Sequence, residues 1–370
     1  MIAIDRRRFH YFDWISFFLI VILSIIGLMF VFSATYSPEQ PVSVFFKKQL
    51  LGFGTGFLLY FVMCAVNHRS LERWGYVLFF VTMVLLLFTL FKGSVGLGAQ
   101  RWINIGFIKF QPSELAKLFF PAFFVFYSSG SLERDMTFAT YGPILGIVGA
   151  SSFLILKQPD LGTALIILFS CFMLLWLAGV RTIFFVTMGC IVIIGAPVAW
   201  HFLKEYQKQR IIVFVGGGSS KKERYQIEQS RIAIGSGGLC GKGYLRGTQN
   251  QFNFLPESRT DCIFSVICEE WGFLGACLVI FLFVALFARL FYVASTIKDV
   301  YVQLLALGLI LPTLISAIIN VSMVMGLLPI VGIPLPFITY GITHLWITFA
   351  SLGWFNGIAS RRFMYVREKE

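Results

Sequence analysis

Ten separate runs of apolar residues, each close to the length that crosses a lipid bilayer, decide what this chain can become. Crossing a hydrocarbon core of roughly 30 Å takes about 20 residues of α-helix. Runs at 13–34, 49–66, 74–91, 113–128, 138–156, 161–179, 182–203, 262–288, 299–325 and 337–358 meet or approach that length. In lipid every backbone N–H and C=O must find a partner within the protein, so a span is either a helix or a strand of a closed barrel. These runs are uniformly rich in Leu, Ile and Phe and lack the alternation of barrel strands, so helices are expected. Apolar residues make up 58% of the 370 residues and charged residues 13%, with mean hydropathy +0.81, which excludes a soluble globular domain. The expected fold is all-α: one polytopic membrane domain, residues 1–370, of about ten transmembrane helices. The run at 113–128 is the most polar, because it carries Glu114 and Lys117.

Lys and Arg concentrate in the cytoplasmic loops of membrane proteins. Arg6, Arg7 and Arg8 precede the first run, and Arg361, Arg362, Arg367 and Lys369 follow the last. An even number of spans then places both termini in the cytoplasm, with Arg69, Arg73, Arg134, Arg181, Arg289 and Lys298 also inside. Lys47, Lys48, Lys92 and Lys109 fall outside, so the rule holds on balance. The first run is too long for a signal peptide and has no convincing cleavage site, so it is expected to stay as an anchor.

This topology makes 204–261, between the seventh and eighth helices, a large extracytoplasmic loop. Its ten Lys or Arg against five Asp or Glu suit an anionic ligand or lipid headgroups, or simply a solvated surface. Residues 225–234 read as a short amphipathic helix stopped at Gly235, after a flexible tip at Gly216 to Ser220. Gly235, Gly237, Gly238, Gly241 and Gly243 would let backbone approach a ligand closely and form an anion nest. A phosphate-cradling P-loop is excluded, since Ser236 stands where its first glycine belongs and Gly243 follows Lys242. No nucleotide and no nucleic-acid partner is expected.

Chemistry is expected at the end of that loop. Asp261 sits where water gives way to lipid, and partial desolvation raises the basicity of a carboxylate. Lys242, Arg246 and Arg259 are near enough in sequence to offset its charge or hold an anionic substrate. Further polar residues gather at outer span ends: Gln100 and Arg101, then Gln111 to Lys117, then Lys157, Gln158 and Asp160. Glu114 and Lys117, three apart, share a helical face and can pair, while Asp160 can cap the helix that starts at Leu161. Glu269 and Glu270 cannot both share a helical face with Asp261, and a structural salt bridge suits them as well as catalysis does. The Pro- and Gly-rich stretch 320–343 is too apolar for a solvated loop and predicts non-helical backbone re-entering the protein at membrane depth. Cys240 and Cys262 are the cysteines that could meet outside, and His10, His68, His201 and His344 are scattered, so no protein-only metal cage is visible. A divalent ion bridging Asp261 and a phosphate would leave no stronger trace.

Six motifs run in order along nearly the whole chain: GAQRW (98–102), FQPSELAK (110–117), QPDLGTA (158–164), YQKQR (206–210), AIGSGGLCGKGYLRGTQNQFNFLPESRTD (233–261) and PIVGIPLPF (329–337). They resemble the SEDS family (shape, elongation, division, sporulation) of cell-wall glycosyltransferases, and KGYLRGTQ is more similar to its rod-shape members than to its division members. The resemblance implies a peptidoglycan glycosyltransferase that polymerises lipid II during elongation in the bacterial cytoplasmic (inner) membrane. It implies a class B penicillin-binding protein, elongasome proteins and membrane lipid as partners, and makes Asp261, which follows LPExxT, the essential acid. Two departures stand out. The family's usual His-Thr-Asp-Phe is Arg259, Thr260, Asp261, Cys262 here, and its Ser-Tyr-Gly-Gly is Thr339, Tyr340, Gly341, Ile342.

Both lines join in one mechanism: Asp261 is the general base for an inverting transfer that releases polyprenyl pyrophosphate. Lys117, Glu114, Arg101, Arg210, Lys242, Asp160 and Glu257 are the substrate-binding candidates. A divalent cation, Mg or Mn, is the candidate cofactor, with its protein ligands unassigned. Arg259 would lower the pKa of Asp261 if its side chain turned toward the site. The competing readings are a lipid II flippase and a division-type polymerase. Transport sites lie near the midplane, whereas the polar residues here cluster at outer ends. A scaffold without chemistry is disfavoured by charges at membrane depth.

Overall fold

The computed structural model describes residues 11–66, 68–96, 99–105, 108–129, 138–203, 205–217 and 221–362. Arg6, Arg7, Arg8, Arg134, Arg367 and Lys369, used above for orientation, and the loop tip 218–220 lie outside the described residues. Each expected span is helical. The first seven are α1 (Trp14–Thr35), α2 (Val44–Ala65), α3 (His68–Lys92), α4 (Pro112–Ser128), α5 (Phe138–Lys157), α6 (Leu161–Leu177) and α7 (Thr182–Phe202). Within the large loop lie α8 (Glu205–Phe214), α9 (Lys221–Ser236) and α10 (Thr248–Gln251), and after it α11 (Ile263–Ser295), α12 (Val300–Val324) and α13 (Ile342–Ala359). By length and hydropathy α1, α2, α3, α5, α11 and α12 can each cross a membrane. The other four expected spans are shorter or more polar. In α13 nearly every residue is buried within the bundle, while α7 has no buried residue among those described and so faces lipid.

The boundaries move for local reasons. The second span starts at Val44 rather than 49, because the Ser43 hydroxyl accepts the Phe46 amide 3.1 Å away and caps the helix. The tenth starts at Ile342 rather than 337, because 337–341 belong to the re-entrant segment. The loop helix α9 is longer at both ends than the expected 225–234.

One element adds to the all-α expectation. Between α3 and α4 the strands β1 (Ser94–Gly96), β2 (Ala99–Ile105) and β3 (Ile108–Phe110) form an antiparallel meander in that order. It carries Arg101 and delivers the chain to Gln111, the residue before α4.

Small residues let the helices close. A Cβ on Gly353 would strike the Tyr60 carbonyl of α2, and one on Gly27 of α1 would strike the Phe337 carbonyl. Stacked Phe79 and Phe123, with ring centroids 4.9 Å apart, seal α3 against α4. As expected from its prolines, 325–341 is non-helical, and although Met325, Leu327 and Leu328 are exposed, its later part packs inside the protein with Ile333, Leu335, Phe337 and Ile338 buried.

α11 is broken at Gly272, whose φ of 67° and ψ of −163° no other residue adopts comfortably. The loop fills the break. Lys242 N–H donates to Glu269 O and Gly243 N–H to Glu270 O, both at 3.0 Å, while Phe273 N–H reaches Gly238 O at 2.8 Å and Leu274 N–H reaches Leu239 O at 3.1 Å. This corrects the anion-nest reading of the loop glycines. Gly237 and Gly241 do permit close backbone approach, but to residues 268–272 of the chain itself, and the amides of Gly237, Gly241, Lys242 and Gly243 are already used.

Candidate active site

Asp261 is fixed by a turn and by a neighbouring helix. The amides of Thr260 and Cys262 both donate to the Glu257 carbonyl at 3.1 Å, closing the turn, with Glu257 itself at φ 50°. Buried Asn320 on α12 donates to Asp261 O at 3.1 Å and to Ile333 O at 2.7 Å, tying the end of the loop to the re-entrant segment. On that segment Gly332, at φ 77°, faces the carboxylate, and a Cβ there would stand 3.5 Å from Asp261 Oδ2. The missing side chain keeps one flank of Asp261 open.

Electrostatics make Asp261 a base suited to neutral pH. Burial pushes its carboxyl up to about 6 and the Glu257 charge adds to the rise, while Arg101 and Arg210 oppose it. Such a group is mostly ionised at pH 7 yet far more basic than an ordinary aspartate. Glu257, Arg101 and Arg210 are therefore the sequence candidates that the fold brings to Asp261. Arg259 is not among them. Its guanidinium lies 3.9 Å over the Phe45 ring, and its carbonyl accepts the Tyr340 amide at 3.0 Å, so the charge two residues before Asp261 is turned away.

Arg101 also joins a second carboxylate. It pairs with Asp160 at 3.6 Å, and Asp160 Oδ2 accepts from Gln111 Nε2 at 2.6 Å and Ser113 Oγ at 3.0 Å. Asp160 caps α6 through the Thr163 amide with Oδ1, as its position predicted, and the same oxygen meets Arg101 of the meander, while Oδ2 gathers the start of α4. Asp160 is thus both a cap and an anchor for Arg101.

Lys117 and Glu114 pair at 2.7 Å, as the three-residue spacing required, and both are buried. His344 joins them, with Nδ1 3.1 Å from Glu114 Oε2 and 3.5 Å from Lys117 Nζ. Nothing in the local sequence points to His344. It lies 227 positions from Lys117, on α13, and no local pattern announces the contact.

Lys242 is drawn elsewhere. Its ammonium binds buried Glu269 at 2.6 Å and Thr248 at 2.8 Å, and Glu269 also accepts the Gln249 amide at 3.0 Å. Glu270 accepts from Ser33 on α1 and from the Leu245 amide. Both glutamates are completely buried, and together they pin the loop to the bundle, the structural alternative raised for them above. Cys240 and Cys262 are both free: Cys240 is exposed, and Cys262 is buried against Gln226 and Ser230 of α9. Among the described residues no three His, Cys, Asp or Glu side chains converge as a metal site.

The family of cell cycle proteins that groups FtsW, RodA and SpoVE matches residues 13–362. The peptidoglycan glycosyltransferase MrdB of Helicobacter pylori strain J99 is 37% identical over 347 residues, covering 92% of this chain and 87% of that protein. Among solved structures, a chain from work on the coordination of polymerization and crosslinking by a peptidoglycan synthase complex superposes with TM-score 0.81 at 27% identity. It covers 95% of this chain and 98% of that one. The rod shape determining protein RodA of Thermus thermophilus has TM-score 0.70, 27% identity and the same coverage.

Proposed function

The chain belongs to the family of cell cycle proteins that includes FtsW, RodA and SpoVE, and from that premise we propose how it acts as a peptidoglycan glycosyltransferase of cell elongation. The substrate is lipid II. The acceptor sugar hydroxyl gives its proton to an Asp261 carboxylate oxygen, and the hydroxyl oxygen attacks the anomeric carbon of the donor. The bond from that carbon to the pyrophosphate breaks, polyprenyl pyrophosphate leaves with the electron pair, and the configuration inverts. The observation that carries this reading is the setting of Asp261: held by the Glu257 turn and by Asn320, left open on the side of Gly332, and in the field of Arg101 and Arg210, whose charge suits an anionic donor.

Arg101 and Arg210 are placed to offset the charge of the leaving pyrophosphate, and Asp160 orients Arg101. The Lys117–Glu114 pair, at the outer end of α4, is a further polar contact for the donor headgroup in this reading. Asp261 and Glu257 provide two carboxylates. A divalent cation held there, Mg or Mn, would need phosphate oxygens to complete its shell, and would supply charge stabilisation. The protein is a multi-pass membrane protein. In our reading it occupies the bacterial inner membrane with both termini in the cytoplasm and Asp261 outside. A class B penicillin-binding protein and elongasome proteins are its partners.

The test is polymerisation of lipid II by purified protein in detergent. Asp261→Asn should fold normally and make no glycan, because an amide has nearly the same shape but does not take up the proton. Normal product from a well-folded Asn variant would refute the assignment of the base.

A further inference from the structure

His344 has two ring nitrogens, and the protein accounts for one. Glu114 is ionised by its contact with Lys117 and can only accept, so the hydrogen of the Nδ1–Oε2 contact belongs to His344. The 3.5 Å approach of Lys117 to the same nitrogen is then no hydrogen bond. Nε2 is buried and has no partner. A buried ring nitrogen without one is costly in either protonation state.

A small cavity lies beside the ring, between α4, α12 and α13. It is lined by Lys117 and His344, by Pro312 and Ile347, and by the hydroxyl residues Thr313, Ser316, Thr348 and Ser351. Three of those hydroxyls are engaged: Ser316 donates to Pro312 O, Thr348 to His344 O and Ser351 to Leu309 O, at 2.7–2.8 Å. Their oxygens keep lone pairs that can still accept. The cavity measures about 10 Å³, close to the room one water needs, and its walls offer more than the two polar partners such a water requires.

We propose that His344 is a positioning residue: its Nδ1–H orients Glu114, and its Nε2 binds a single buried water that also meets the Lys117 ammonium. Glu114, His344, the water and Lys117 then form one closed network across α4 and α13. The network holds Lys117 in a single orientation at the outer end of the bundle. The inference rests on the role given above to the Lys117–Glu114 pair in polymerisation.

The experiment compares His344→Leu, His344→Asn, Glu114→Gln, Lys117→Met and the double variant Glu114→Gln/His344→Leu in purified protein, by lipid II turnover, KM and melting temperature. His344→Leu keeps the bulk and loses both nitrogens, and should lower turnover about tenfold, the worth of one hydrogen bond to a charged group, with KM within about twofold. His344→Asn places an amide N–H near Nδ1 and should recover turnover to within about threefold of the parent. The double variant should lose less than the product of the two single losses, because His344 and Glu114 act in one network on the same Lys117. Multiplying losses in the double variant, equal losses in the Leu and Asn variants, or a loss that tracks a fall in melting temperature would overturn the inference. Parental turnover in His344→Leu beside a slow Lys117→Met would overturn it alone. Parental turnover in Lys117→Met would overturn the role of the pair as well.

Discussion

Replacing Asp261 by Asn should make the folded protein more stable at neutral pH while it abolishes polymerisation. In the folded state burial and Glu257 raise this carboxyl from 3.8 to about 6, against the pull of Arg101 and Arg210. In the unfolded chain it titrates near 3.9. Below about pH 4 both states are protonated and there is no penalty. Between about pH 4 and 6 the folded state binds more protons than the unfolded one, so stability falls as pH rises, and above about pH 6 the whole cost is present. Two units at 1.36 kcal/mol each give about 3 kcal/mol, an upper figure because part of the residue meets solvent, and about 1–3 kcal/mol is expected. Asn has no charge to bury and escapes that cost. At roughly 2 °C per kcal/mol for a chain of this size, the melting temperature should rise by about 2–6 °C near neutral pH. The gain should shrink to about a third by about pH 4.5 and approach zero near pH 3. Thermal unfolding of detergent-purified parent and variant across that pH range is the assay. Equal melting at neutral pH, or a gain that persists unchanged in acid, would refute the argument that burial strains this carboxylate.

Four further variants have expected outcomes. Glu257→Gln removes a negative charge that lifts Asp261 and should move the acid limb of the rate profile to lower pH, while Arg210→Gln should move it higher. Arg259→Gln should leave that limb in place because its guanidinium rests on Phe45, and a shift would show that the charge reaches the site. Gly272→Ala should cost more than about 3 kcal/mol of stability, from a backbone region closed to side chains and from collision with Gly241. Near-parental melting and yield from that variant would show that the break is not held by the loop.

The ten helices were legible because lipid leaves so few options: a run long and apolar enough to span must satisfy its own backbone. The meander at 94–110 was not, since its short strands show no sustained alternation and sit between two strong helical runs. Within the site, legibility followed sequence distance. Glu114 with Lys117, and Asp160 with the amide of Thr163, are separated by three residues and follow from helix geometry alone. Lys242 with Glu269, and His344 with Glu114, depend on how distant segments pack. Lys242, a positive charge on a loop, looks free in the sequence, and only the fold sets the buried Glu269 carboxylate beneath it. Arg259 was near Asp261 in sequence, but the Glu257 turn and the Phe45 ring send its side chain elsewhere.

The break at Gly272 bears on how the protein is assembled. Four backbone groups of the membrane helix α11 find their partners only on residues 238–243, which precede it in the chain. Lipid cannot replace those partners, so the outer part of α11 is incomplete until the loop has reached it. The loop is therefore a prerequisite for the span's insertion in native form, and not a lid added to a finished bundle. Shortening 237–250 should yield protein that fails quality control in the membrane, whereas a stretch that merely covered the site could be cut away and leave a folded, inactive protein.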